Sequence, residues 1–289
     1  MIGKKRYEQT NALLNRELEN KKVLIAVHRG SSGGNIIENT IPAYETSLKM
    51  GGDVIESDVV KSQDGKLFNF HNGMERKNFQ QDIDLRTLTS EQITKLKYIN
   101  DNLEEIDYPI EKLYDTLMYF KGKGLINLDR AWEFFPDIFN VIDQTGTMGQ
   151  VILKGPLNEN TITALKNSPN KYMFMPKIGT LQELSTVLNM KEVNIVGVEI
   201  KVETIDNDFF QKNNIDKIKE NNLFVWINAL TMDDNKKLFA GFDDNTSLIK
   251  GADSGWQVIL EKGADIIQTD WPALLSEHRN RWIREKTIS

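Results

Sequence analysis

Residues 53–60 read DVIESDVV. Val54, Ile55, Val59 and Val60 are β-branched residues suited to a strand, and they fall on both faces of it, so neither face meets water. Glu56 and Asp58 stand two apart, and the two-residue period of a strand points both carboxylates to one side. Working outward, seven more short β-branched or aromatic runs bounded by Gly, Asn, Asp or Pro occur at 23–27, 125–129, 150–153, 172–175, 195–200, 224–228 and 265–269. Between them the apolar spacing is helical, as in Ala43, Tyr44, Ser47 and Leu48 after a Thr40, Ile41, Pro42 start, or Leu181, Leu184, Val187 and Leu188. Strand and helix in alternation mean a parallel sheet. Eight such units within 289 residues predict an α/β fold of the closed (β/α)8 TIM-barrel type rather than an open doubly wound sheet, and no GxGxxG follows the first strand. The chain reads as one domain, 1–289, interrupted after the second strand by a small insertion at approximately 72–110. That segment holds DLRTLTSEQITKLKY, where Thr89, Ser90 and Glu91 form a helix start.

The balance of 42 acidic against 36 basic side chains, net −6, excludes nucleic-acid binding by bulk positive charge. With no cysteine, disulfides, thiolate metal sites and cysteine nucleophiles are absent, and any metal must be held by oxygen or imidazole. Three histidines are left for imidazole chemistry. The first 22 residues alternate charges with Leu and Asn and lack the apolar core of a signal peptide. A cytoplasmic location is therefore expected, or a mature form whose leader has been removed. No run approaches the roughly 20 apolar residues of a membrane span, so contact with a membrane would be peripheral.

In a barrel the chemistry gathers where strands end. His28 and Arg29 close the first strand, Glu56 and Asp58 lie on the second, Asn127 and Asp129 on the third, and Lys154 ends the fourth. Lys177, Glu199 with Lys201, Trp226 with Asn228, and Asp270 follow. Two inward carboxylates are costly to bury without a cation, so Glu56 and Asp58, with Asp129, predict a hard divalent ion; internal hydrogen bonding within the strand is the alternative. His28 and His71 both leave strands near that centre and can divide acid and base work, while Arg29 can hold an anionic phosphodiester. His278, on a helix near the end, is expected at the surface.

These stretches resemble a known family. VLIAVHRG, ENTIPAY and GGDVIESDVVKSQDGKLFNFHN are similar to the HRG, ENT, G-A-D-x-x-E-x-D, D-G and H-D motifs of the glycerophosphodiester phosphodiesterases, in the phospholipase-C-like phosphodiesterase superfamily. Later, LFVWIN resembles their W-T-V-N strand and KGADIIQTDWPALL their closing G-V-D-G-I-I-T-D-x-P unit. The resemblance implies a TIM barrel with an insertion after the second strand. It also implies His28 and His71 as the acid and base pair, Arg29 on the phosphate, Glu56, Asp58 and Asp129 on calcium or magnesium, and Trp226 lining the substrate pocket. Trp226 as core packing is the other reading. The expected partner is a small-molecule phosphodiester, cleaved to an alcohol and glycerol phosphate.

The sequence departs from the family in three places. The H-D aspartate is Asn72, and the third-strand N-x-E-x-K becomes Asn127, Asp129 and Ala131, which shortens one carboxylate and deletes the lysine. Lys154, on the neighbouring strand, is the expected replacement, binding substrate in its stead; a surface lysine is the alternative. The loop after Gly30, GSSGGNII, offers amides for an anion or is simply flexible. A phospholipase-like or cyclising phosphodiesterase, and a non-catalytic phosphodiester-binding barrel, are the other functions these departures leave open.

Overall fold

The computed structural model describes residues 1–232 and 236–288. Its strands, in chain order, are β1 Leu24–Val27, β2 Val54–Lys61, β3 Leu67–Asn69, β4 Tyr98–Ile99, β5 Glu105–Ile106, β6 Leu125–Asp129, β7 Val151–Gly155, β8 Met173–Ile178, β9 Gly197–Ile200, β10 Phe224–Asn228 and β11 Ile266–Thr269. Eight of these run parallel in the order β1, β11, β10, β9, β8, β7, β6, β2, and a β1–β2 pairing closes the ring. Helices lie between them, so the protein is a TIM barrel, as the alternation predicts. The helix Ile41–Lys49 begins where the sequence places it, with the Thr40 side chain accepting from the Ala43 amide and Pro42 in its first turn.

The period of two sorts each strand into an outward and an inward set. Outward residues such as Ile25, Val27, Ile55, Ile126, Leu128, Val151 and Leu153 join the layer under the helices. Inward residues change character along the barrel axis. Leu24, Val54, Leu125, Ile152, Met173, Phe224 and Ile266 make an apolar lower layer. One residue pair further along each strand stand Glu56, Asn127, Lys154, Trp226 and Gln268, all buried. The strand exits then offer His28, Asp58, Asp129, Lys177, Asn228 and Asp270. The helix Ala12–Lys21 closes the lower end, with Leu14 buried in the inner cluster and Leu13 and Leu18 against it. Ionisable groups inside the barrel are thereby confined to its C-terminal end.

Between β2 and β6 the chain leaves the barrel rhythm. β3 folds back antiparallel on β2, and the short hairpin β4–β5 follows. This excursion has its own core, in which Phe70, Phe79 and Tyr98 stack in series. The helix Ser90–Ile93 starts on a capping box between Thr89 and Gln92, as the Thr89, Ser90, Glu91 signal predicts.

Candidate active site

At the C-terminal end, the β2–β6 register sets Glu56 beside Asn127 and Asp58 beside Asp129. One oxygen from each of Glu56, Asp58 and Asp129 lies within 4.8 Å of the others. Burial, then the neighbouring Asp58, pushes the Glu56 carboxyl up to about 7. Beside them the Asn127 Oδ1 is buried and accepts no hydrogen bond, an unmet hard oxygen acceptor. An all-oxygen set with an unmet acceptor fits a hard divalent cation better than a softer ion.

Arg29 is threaded through this centre. Its amide donates to Glu56 Oε2 (2.9 Å), its Nη1 donates to Glu38 Oε1 (3.2 Å), and its Nε lies 3.0 Å from Asp58 Oδ2 without hydrogen-bond alignment. Reaching that position costs backbone strain: Arg29 has φ +54°, and Asn39 and Arg130, which also face Asp58, have +60° and +53°. Gly30 follows with φ +76°, and a Cβ there would sit 2.8 Å from the Ala43 backbone, so only glycine lets the loop pass the helix.

Lys154 is the cation of the set. It is 2% exposed, and its Nζ lies 2.7 Å from Asp129 Oδ2, 3.2 Å from Glu199 Oε2 and 4.0 Å from Glu56 Oε1. Burial would depress this amine, but Asp129, Glu199 and Glu56 outweigh it and raise its pKa. The surface-lysine alternative is therefore excluded. Asp129 also receives Lys177 Nζ at 3.1 and 3.3 Å and the Arg130 amide at 2.7 Å. Burial would raise its carboxyl, yet Lys154 and Lys177 hold it well below the usual carboxylate range.

The two histidines stand in opposite surroundings. His28 Nδ1 is 2.9 Å from Asp270 Oδ1; burial alone would lower its pKa, but the Asp270 hydrogen bond and the charges of Glu56 and Asp270 raise it. His71 follows β3, whose continuation ties to β2 through the Phe70 amide and the Asp58 carbonyl (3.1 Å). Burial, and then Arg29 and Arg130 against the pull of Asp58, lower its pKa. Asn72 accepts from Arg130 Nη1 at 3.5 Å, so the amide in the aspartate's place faces a cation.

Three expectations change. Trp226 is fully buried, donates its indole N–H to Asn228 Oδ1 at 2.8 Å, and has Lys154 Nζ 5.5 Å from its ring centroid. It packs as the floor beneath the centre, one layer below the strand exit, as the core-packing reading has it. His278 is not at the surface. It is 4% exposed, with Nε2 3.1 Å from Gln257 Oε1 and Nδ1 3.0 Å from Arg281 Nη2, because its helix packs against Trp256–Lys262. The amides of Ser31, Gly33, Gly34 and Ile36 are engaged by Ala43 O, Ile36 O, Asp101 Oδ2 and Gly33 O, so these four are not offered to an anion.

The sequence reading assigns no role to Glu38, Asn39, Arg130, Lys177, Glu199 or Asp270. Glu38 and Asn39 stand inside the ENT motif, Lys177 and Glu199 fall on inward positions of strands, and Asp270 directly follows β11, so position is the signal that finds them. Arg130 carries no such signal, since its reach depends on a positive φ.

A family described as a domain of unknown function matches residues 172–278. A glycerophosphodiester phosphodiesterase of Caldanaerobacter subterraneus subsp. tengcongensis is 36% identical over 75 residues, which cover 26% of this chain and 30% of that one. One from Bacillus subtilis is 46% identical over 50 residues, 17% of each chain. The aligned part is thus under a third of either relative's length. Among solved structures, a glycerophosphoryl diester phosphodiesterase from Parabacteroides distasonis superposes with a TM-score of 0.71 at 17% identity, covering 90% of this chain and 87% of that one. A glycerophosphodiester phosphodiesterase from Agrobacterium tumefaciens gives 0.63 at 17%, covering 88% and 99%. An Oleispira antarctica phosphodiesterase, solved with the product sn-glycerol-3-phosphate, gives 0.61 at 16%, covering 88% and 95%. The barrel is the fold of these enzymes.

Proposed function

We propose that this protein is a metal-dependent phosphodiesterase that hydrolyses glycerophosphodiesters, or a closely related small phosphodiester, to an alcohol and glycerol phosphate. The observation that carries the reading is the gathering of His28, Arg29, Glu56, Asp58 and Asp129 at one end of the barrel, with His71 leaving β3 beside Asp58. The curated relatives and the Oleispira product complex support it.

In this reading Glu56, Asp58 and Asp129 hold calcium or magnesium. When bound, the ion supplies Lewis-acid charge that offsets the negative charge growing on phosphorus oxygens. Arg29 exchanges part of its contact with Glu38 for the diester and orients it. Lys154 would take the part of the lysine missing from β6, adding a fixed positive charge near the reacting phosphate. One of His28 and His71 takes the proton from the attacking hydroxyl or water while the other gives a proton to the leaving alcohol.

The test is alcohol release from glycerophosphocholine and from bis(p-nitrophenyl) phosphate with calcium or magnesium present. Turnover lost in both His28→Ala and His71→Ala, with folding intact, is the expected result. Turnover that survives both replacements would sink the reading.

A further inference from the structure

Most of the cations around the carboxylate centre are committed to it. Lys154 is held by Asp129 and Glu199 at 2.7 and 3.2 Å and is 2% exposed. Lys177 is held by Asp129 at 3.1 Å, and Arg29 by Glu38 and Asp58 at 3.2 and 3.0 Å. Arg130 is not held in this way. Its Nε stands 3.7 Å from Asp58 Oδ1, beyond hydrogen-bond distance, and among the described residues its guanidinium makes one hydrogen bond, from Nη1 to Asn72 Oδ1 at 3.5 Å. With the side chain 42% exposed, most of the donors of that fork face solvent rather than protein.

The placement of Arg130 is imposed. It follows β6 with φ +53°, and its amide donates to Asp129 Oδ1 at 2.7 Å; strained backbone of this kind persists where the surroundings dictate it, and ligand clamps are such places. The turn brings the guanidinium to the Oδ1 side of Asp58, while Arg29 occupies the Oδ2 side. The charges of both arginines reach the His71 ring. A diester that meets Arg29 and His71 together has its phosphate against Asp58, in the field of both guanidiniums. Residue 72 decides whether the second one is free. A carboxylate there would take the fork as a bidentate pair, whereas the Asn72 amide oxygen accepts one long bond and leaves the charge uncancelled. The aspartate and the lysine that this sequence lacks thus bear on one side chain.

We propose that Arg130 is a second phosphate-binding residue, closing its planar fork on the oxygens of the diester from the Asp58 Oδ1 side, and that Asn72 leaves it free to do so. The assignment rests on the phosphodiesterase reading. Lys154 adds charge from beneath, and contact from the mouth falls to Arg130.

The experiment measures KM for glycerophosphocholine, inhibition by sn-glycerol 3-phosphate, calcium or magnesium affinity and thermal melting in the wild type, Arg130→Ala, Arg130→Lys and Asn72→Asp. Arg130→Ala should raise KM and the inhibition constant about tenfold or more, with the ion bound at least as tightly, since a cation has left the neighbourhood of Asp58. Arg130→Lys should recover part of the loss, because it keeps the charge without the fork. Asn72→Asp should raise both constants at least threefold. Unchanged constants in Arg130→Ala, or constants that rise only together with a weaker ion affinity and a lower melting temperature, overturn the assignment and leave the phosphodiesterase reading intact. Unchanged constants in Asn72→Asp overturn the part given to Asn72. A wild type that cleaves neither glycerophosphocholine nor bis(p-nitrophenyl) phosphate overturns that reading and the assignment with it.

Discussion

Asp270 Oδ1 lies 2.9 Å from His28 Nδ1, and the loop that carries Asp270 is itself pinned by a buried carboxylate. Asp244 Oδ2 accepts from the Asp270 amide (2.9 Å), while its Oδ1 accepts from Thr269 Oγ1 (2.8 Å) and Trp256 Nε1 (2.7 Å). With Nδ1 engaged, His28 has Nε2 left, and in the proposed reaction it would act as acid or base through that nitrogen, its ring oriented by Asp270.

Asp270→Asn should therefore change the pH profile more than the fold. The raised pKa of His28 means its stabilising charge is complete below about 6.5 and is lost as pH rises through the higher folded value. Removing the Asp270 charge moves that limb of the kcat/KM profile toward acid. The accompanying rate loss should stay below the roughly 10²–10⁴-fold expected for deleting an acid–base group outright. A profile unmoved by the substitution would mean that the contact does not act on His28.

Lys154→Met removes the ammonium shared by Asp129, Glu199 and Glu56 and leaves carboxylates buried without it. In chelator the expected destabilisation is roughly 3–5 kcal/mol, as for breaking one side of a buried ion pair. Added calcium or magnesium should restore part of that stability and little of the activity. Thermal melts with and without the ion, beside turnover, separate the two effects; equal activity in the variant would remove Lys154 from the site.

The carboxylate centre makes a direct prediction about ions. Calcium or magnesium at about 100 times its Kd should raise stability by roughly 2.7 kcal/mol by mass action. Glu56→Gln and Asp129→Asn should each abolish most of the shift. A full shift in either variant would place the ion elsewhere.

Trp226 belongs to the floor, so its loss should appear in stability. Trp226→Ala is expected to cost roughly 3–5 kcal/mol, and Trp226→Phe less, since it keeps most of the apolar volume and loses the bond to Asn228. Denaturant titration measures both. If Trp226→Phe left stability unchanged and raised KM severalfold, the indole would be acting on substrate.

Most of the barrel was legible because parallel strands buried on both faces write nearly continuous apolar runs, and 125–129 and 224–228 match β6 and β10 residue for residue. The carboxylate pair was legible for the same reason, since the period of two fixes which residues share a face. Depth along the axis was not. Trp226 and Lys154 sit one layer below the strand exits, and nothing in a single strand's sequence says how far its end lies from the barrel mouth. His278 was misplaced because its partners, Gln257 and Trp256, lie on another helix some 20 residues away in the chain. Arg130 depended on a left-handed backbone that a non-glycine residue does not announce.

The loop after β1 is stitched to the excursion between β2 and β6: the Gly34 amide donates to Asp101 Oδ2 at 2.8 Å, and Asn100 Nδ2 donates to Asn35 Oδ1 at 2.7 Å. Asp101 and Asn100 belong to the turn joining β4 and β5, whose tip carries the exposed Leu103. None of these four bonding residues reaches the carboxylates. A change of length or composition in that hairpin would therefore reshape the loop after β1 while Glu56, Asp58 and Asp129, fixed on strands, stay in register.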